Sequence, residues 1–140
     1  MHRVVIDTNV LISGIIQSKG YPCKIVTTWE KGELILITSP AMIKEAEKVL
    51  NYPRIKVRYK LNDDEIKQTI VNLLRYSILI NNPPLLDVIK DDPSDNVILS
   101  TAAAGKADYI ISGDSHLLVL KNYKDIEIIT PKRFCEISGL

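Results

Sequence analysis

Short β-branched runs alternate with helical patterns along the whole chain, and this alternation leaves few folds open. Val4-Val5-Ile6 reads as a first buried strand, residues 33–38 as a second, 77–80 as a short third, 108–112 as a fourth and 126–129 as a fifth. The second contains an unbroken Leu-Ile-Leu-Ile run, the pattern of a strand covered on both faces. Helices fill the intervals. A short apolar helix follows Asp7 and runs to about Ile16, and Pro22 is well placed as the first residue of a second, with Gly32 just past its end. Ser39-Pro40 opens a third by N-cap and proline logic, ending near Leu50. Asn62 and Glu65 form a capping-box signature before Ile66, Ile70, Leu73 and Leu74, which share one face. Asp91-Asp92-Pro93-Ser94-Asp95 opens a helix to about Ala104, and Thr130-Pro131 starts the last. Strands linked by helices imply an α/β fold, a mostly parallel, roughly five-stranded sheet flanked on both faces. The carboxyl ends of its strands then share one edge.

With 140 residues the expectation is a single domain, 1–140, able to bury roughly two thirds of its unfolded surface. At 46% apolar and 25% charged, the composition is that of a globular protein. No apolar run reaches the roughly 18 residues of a membrane span, and the N-terminus lacks a signal peptide's order of regions, so the expected location is the cytoplasm, with no membrane partner. Cys23 and Cys135 show no metal-ligand spacing and read as core thiols. The net charge of +1, from 18 basic and 17 acidic side chains, excludes a globally basic nucleic-acid coat and leaves polyanion binding to a local patch or bound metal.

Asp7 ends the first strand and Asp114 follows the fourth, so two acids far apart in sequence meet at one sheet edge, where open α/β sheets bind ligands. Asp7, Thr8 or Asn9 also reads as a plain helix cap. At about 100° per residue Asp95 projects with Leu99 and Ala102 towards the sheet, although Asp92 as N-cap, Pro93 and Asp95 equally make an ordinary helix start. Glu45 and Glu47 flank the apolar stripe of the third helix, and periodicity does not choose between them. Carboxylates converging on one cleft raise one another's pKa unless a cation neutralises them, and the cation implied is Mg²⁺ or Mn²⁺, one ion or two. Such centres suit phosphodiester hydrolysis. Residues 52–60 alternate apolar with basic side chains. Arg54, Lys56, Arg58 and Lys60 form either a phosphate-tracking strip or a solvated face on a connecting segment. His116 reads first as a helix-start or surface residue and, as the alternative, as a hydrogen-bond partner of a scissile phosphate, and His2 is uninformative.

Val5-Ile6-Asp7-Thr8-Asn9-Val10 at the start, Asp92-Pro93-Ser94-Asp95-Asn96 before a helix, and Tyr109-Ile110-Ile111-Ser112-Gly113-Asp114 near the end resemble a PIN-domain nuclease. The chain is most similar to the small prokaryotic proteins grouped with VapC-type toxins. The resemblance covers essentially the whole chain and implies a three-layer α/β/α sandwich with an acidic cluster that binds Mg²⁺ or Mn²⁺. It also implies a single-strand-specific endoribonuclease, a cognate antitoxin and a possible homodimer. By that resemblance Asp7 matches the first acid, Glu45 the middle-helix acid, Asp95 the third and Asp114 the fourth. Thr8, Asn9 and Ser112 match polar positions that orient carboxylates and metal waters. The competing expectation is a non-catalytic RNA- or protein-binding module on the same fold. A phosphotransfer enzyme with an aspartyl nucleophile ranks below both, because the position two residues after Asp7 is Asn9 where a second aspartate is needed.

Overall fold

Alternate side chains of the first strand point to opposite layers, and the rest of the molecule follows from that. In a computed structural model that describes residues 1–84, 88–89 and 92–140, β1 (Arg3–Ile6) sends Val4 and Ile6 into one apolar cluster and Val5 into another. The neighbouring strands β2 (Ile35–Thr38), β3 (Ile78–Leu79) and β4 (Tyr109–Ile111) run parallel to it. Leu36 and Ile111 join Val4 and Ile6, while Ile37 and Ile110 join Val5. The first cluster is covered by α1 (Thr8–Ile16), α2 (Tyr21–Glu30), α3 (Pro40–Leu50), α5 (Asp63–Arg75) and α8 (Pro131–Ser138). The second is covered chiefly by α6 (Pro93–Ala104) and the single turn α7 (Ser115–Leu118). Two cores on one sheet make a three-layer α/β/α sandwich, the expected class.

The sheet has six described strands in the order β3-β2-β1-β4-β6-β5, where β5 is Asn122–Tyr123 and β6 is Ile126–Ile129. This corrects the expected five. The added strand is a two-residue edge piece, antiparallel to β6, and it carries no apolar run to announce it. The chain adds β2 and β3 on one side of β1 and then crosses to lay β4 on the other. The order therefore reverses between β1 and β4, and at such a switch point the carboxyl ends of the strands leave a crevice.

Other expectations need adjustment. Residues 52–60, read as a connecting segment without a helix of their own, contain one. Tyr52 precedes α4 (Pro53–Arg58), closed by the Lys56 and Tyr59 amides donating to the Tyr52 and Ile55 carbonyls at 3.0 Å. Tyr21, not Pro22, starts α2. Ser39 occupies the N-cap of α3 without making the capping bond, and its hydroxyl is buried without a partner among the described residues. The Asn62–Glu65 capping box forms as expected, with the Glu65 amide donating to Asn62 Oδ1 at 2.8 Å, but Leu74 turns out to water while Ile66 and Leu73 are buried. Cys135 is buried, whereas Cys23 is only half-buried. Asp91, first residue of the helix-opening run, lies outside the described residues. No described helix is long and apolar enough to cross a membrane.

Candidate active site

The crevice at the switch point is where the acids gather. Asp7 follows β1 directly and is 5% exposed; its backbone N–H donates to the Ile111 carbonyl at 3.0 Å, which ties the end of β1 to the end of β4. Its carboxylate caps α1, accepting the Val10 amide at 2.9 Å, and accepts the Ser112 hydroxyl on its other oxygen. Ser112, fully buried, in turn accepts the Asp114 amide at 2.9 Å. One hydroxyl therefore fixes the relative placement of two acids that are 107 positions apart by number.

Asp95 stands in the first turn of α6, whose N-cap Asp92 accepts the Asp95 amide at 3.4 Å and the Ser94 hydroxyl at 2.6 Å. Asp95 is 4% exposed, as its projection with Leu99 and Ala102 requires, and its Oδ2 is buried with no hydrogen-bond partner among the described residues. Asp114 caps α7, accepting the His116 amide at 2.8 Å. Asp7, Thr8, Asn9, Glu45, Asp92, Asp95 and Asp114 line one cavity of about 400 Å³, closed on its apolar side by Met42, Val97 and Ile98. The geometry separates the two glutamates that periodicity left level: Glu45 reaches this cavity, and Glu47 is not among its lining residues. A second cavity, of about 290 Å³, shares Asp7, Asn9 and Asp114 and continues past Ser13 and Pro22. Asp7 and Asp114 therefore border two depressions, whereas Glu45, Asp92 and Asp95 border the first alone.

Burial, before any other cause, raises the Asp7 carboxyl above the usual carboxylate range, with the Ser112 and Val10 bonds pulling it back. Burial also leads for Asp95, pushed up to about 7 with further help from the adjacent Asp114 and Asp92. Asp92 is held below the usual range, first by the Ser94 hydroxyl. A buried carboxylate with an unpartnered oxygen, crowded by like charge, is the arrangement that a cation relieves. Helices α1, α6 and α7 all begin at the cleft, and their N-terminal dipoles offset part of the repulsion.

The grouping of two further residues with these acids was not read from sequence. One ligand atom each from Asp92, Asp95, Asp114 and His116 lie within 4.8 Å of one another. From sequence Asp92 reads chiefly as a cap, and His116 as a helix-start or surface residue or a phosphate contact, neither as a member of the acid set. Asp92 is that cap and His116 stands at that helix start, and their closeness follows from tertiary packing that no local spacing encodes. Arg54, Lys56, Arg58 and Lys60 are not among the residues lining either cavity. Lys56 is paired with Asp63 at 2.6 Å, while Arg54, Arg58 and Lys60 are exposed.

A family model described as "PIN domain" matches residues 3–116, from β1 through the Asp114 turn. The chain belongs to the PIN-domain family. A relative, the uncharacterized protein MJ1680 of Methanocaldococcus jannaschii, is 32% identical over 142 aligned positions that span 96% of this chain and 90% of the relative. Among solved structures, VapBC2 from Rickettsia felis bound to a DNA fragment from their promoter contains a chain of like fold. The TM-score is 0.58 at 13% identity, covering 91% of this chain and 98% of that one. FitAcB from Neisseria gonorrhoeae gives a TM-score of 0.55 at 13% identity, over 92% of this chain and 98% of that one. At that identity the likeness is one of fold, and it agrees with the three layers and the sheet described above.

Proposed function

We propose that this PIN-domain protein is a divalent-metal-dependent endoribonuclease that hydrolyses phosphodiester bonds in single-stranded RNA, and that all of 1–140 acts as one domain. The observation that carries the reading is the convergence of Asp7, Glu45, Asp95 and Asp114 on one cleft at the sheet's switch point. The residues fit a hard cation: oxygen donors predominate, and Asp95 offers a buried oxygen with nothing else to bind. Bound there, Mg²⁺ or Mn²⁺ supplies charge against the phosphodiester oxygens and lowers the pKa of water.

The chain's own residues do the positioning. Ser112 holds Asp7 and Asp114 in fixed relation through its hydroxyl, and Val10 fixes the rotamer of Asp7 through the cap. Asp95 lines the cleft, and Leu99 and Ala102, on the same face of α6 and locked in the core, hold the helix that carries it. Thr8 and Asn9 line the cleft beside the acids, where hydroxyl and amide groups orient carboxylates and water. Asp7, Asn9 and Asp114 border both cavities, and room on either side of these residues suits a strand passing by over one ending there, which supports internal cleavage. Exposed Arg54, Arg58 and Lys60 are offered as phosphate contacts beyond the cleft.

The same reading makes the chain the toxin half of a toxin–antitoxin pair, with an antitoxin protein as its partner. The fold shared with a chain of VapBC2 supports this. The test is cleavage of an end-labelled single-stranded RNA with Mg²⁺ or Mn²⁺, and again with EDTA. Internal fragments that require metal are expected. Tight RNA binding in Mn²⁺ without any cutting, for total cellular RNA as well, would favour the binding module instead.

A further inference from the structure

The acids expected to bind metal are not equally free to do so. Asp7 has both carboxylate oxygens engaged, by the Val10 amide and the Ser112 hydroxyl, and Glu45 is an exposed side chain on α3. Among the described residues the group placed to hold one ion is instead Asp92, Asp95, Asp114 and His116, with one ligand atom from each within 4.8 Å of the others. Two ligands on opposite sides of a cation with bonds of about 2.1 Å stand about 4.2 Å apart. Four atoms already inside 4.8 Å therefore need only small adjustments to surround one ion.

We propose that Asp92 and His116 join Asp95 and Asp114 in holding the divalent cation, so that the centre has a mixed oxygen and nitrogen ligand set and prefers Mn²⁺ to Mg²⁺. This rests on the nuclease reading above and specifies its metal. Two observations carry it independently of the acidity of the cluster. Asp95 Oδ2 is a buried carboxylate oxygen without a hydrogen-bond partner among the described residues, and a group desolvated in that way needs a cation or a donor. The second concerns how His116 is held. Its backbone amide donates to Asp114 Oδ1 at 2.8 Å and its Nδ1 lies 3.9 Å from the same oxygen, while Leu117 beside it is fully buried and anchors the turn. The imidazole, 65% exposed, is thus tethered at the cleft yet free to rotate onto an ion. Asp92 caps α6 through Oδ1, which leaves its second oxygen to offer. Mg²⁺ favours oxygen ligands and retained waters, whereas an imidazole nitrogen shifts preference towards first-row transition ions.

The test is pulsed electron paramagnetic resonance of Mn²⁺ bound to the full-length chain, with Mn²⁺ and Mg²⁺ affinities measured by titration. The wild type is expected to show an imidazole nitrogen coupling that disappears in His116→Ala. Only two histidines exist, and His2 is packed against Tyr109 and Phe134 at the start of β1, at the other end of the sheet from the acids. His116→Ala and Asp92→Asn should each weaken Mn²⁺ about tenfold or more, and His116→Ala should narrow the preference over Mg²⁺. Mn²⁺ that binds in an Asp95-dependent way without nitrogen coupling would overturn this ligand set and leave the nuclease reading standing. No Mn²⁺ binding by the wild type would overturn both.

Discussion

Asp95 concentrates the electrostatic cost of the site in one side chain. Its carboxyl is pushed up to about 7, chiefly by burial, whereas in an unfolded chain it titrates near the ordinary value of about 3.9. Between those values the folded state holds a proton that the unfolded state has lost. Stability from this group is complete below about pH 4 and falls as pH rises, by up to about 1.4 kcal/mol per unit, until it is gone above about 7. Asp95→Asn removes the titration. In EDTA its melting temperature should match the wild type near pH 4 and exceed it near pH 8, and a gap that does not widen with pH would contradict the assignment. At this scale the sequence was partly legible. It offered Asp7 as a cap or as a site acid, and the structure makes it a cap while setting it in the cleft, since a residue that ends a strand and starts a helix is placed for both. Ser112 was legible only through the family resemblance, because its bond to Asp7 spans 105 positions and depends on β1 pairing with β4.

Elements long enough to show a period were read with little error. The runs behind β1, β2, β4 and β6 and the caps of α5, α6 and α8 lie where apolar spacing and capping residues put them. What was missed is short: α4 and β5 span six and two residues, and the four-residue α7 was offered only as a helix start at His116, all too short for a hydrophobic period to emerge. Close approach of α1 and α2 was not foreseen either. A Cβ on Gly14 would stand 2.6 Å from the Pro22 carbonyl oxygen and closer still to Val26 Cγ2. Pro22, in this contact, also lines the second cavity beside Asp7. Gly14→Ala should destabilise the fold by about 1–3 kcal/mol in urea unfolding, as overpacking does. A variant as stable as the wild type would show that the helices can separate without loss.

Over the whole molecule, basic and acidic groups nearly cancel, so the proposed RNA binding requires a local patch. If Arg54 and Arg58 touch phosphates, replacing both with Gln should reduce the slope of log affinity against log salt by about 1.4, the value for two contacts to a single strand. An unchanged slope would return α4 to a solvated face, while the cleavage rate at saturating RNA should hold either way. The central claim is that strand-end and helix-borne acids from across the sequence act as one catalytic centre. It is tested most directly by the initial rate of single-stranded RNA cleavage in Mn²⁺ for Asp7→Asn, Glu45→Gln, Asp95→Asn and Asp114→Asn, each first shown to be folded by circular dichroism. A loss of about a hundredfold or more in every variant is the expected result, given that each removes charge from a shared centre. Wild-type rates in the folded Asp7 and Asp95 variants would contradict it.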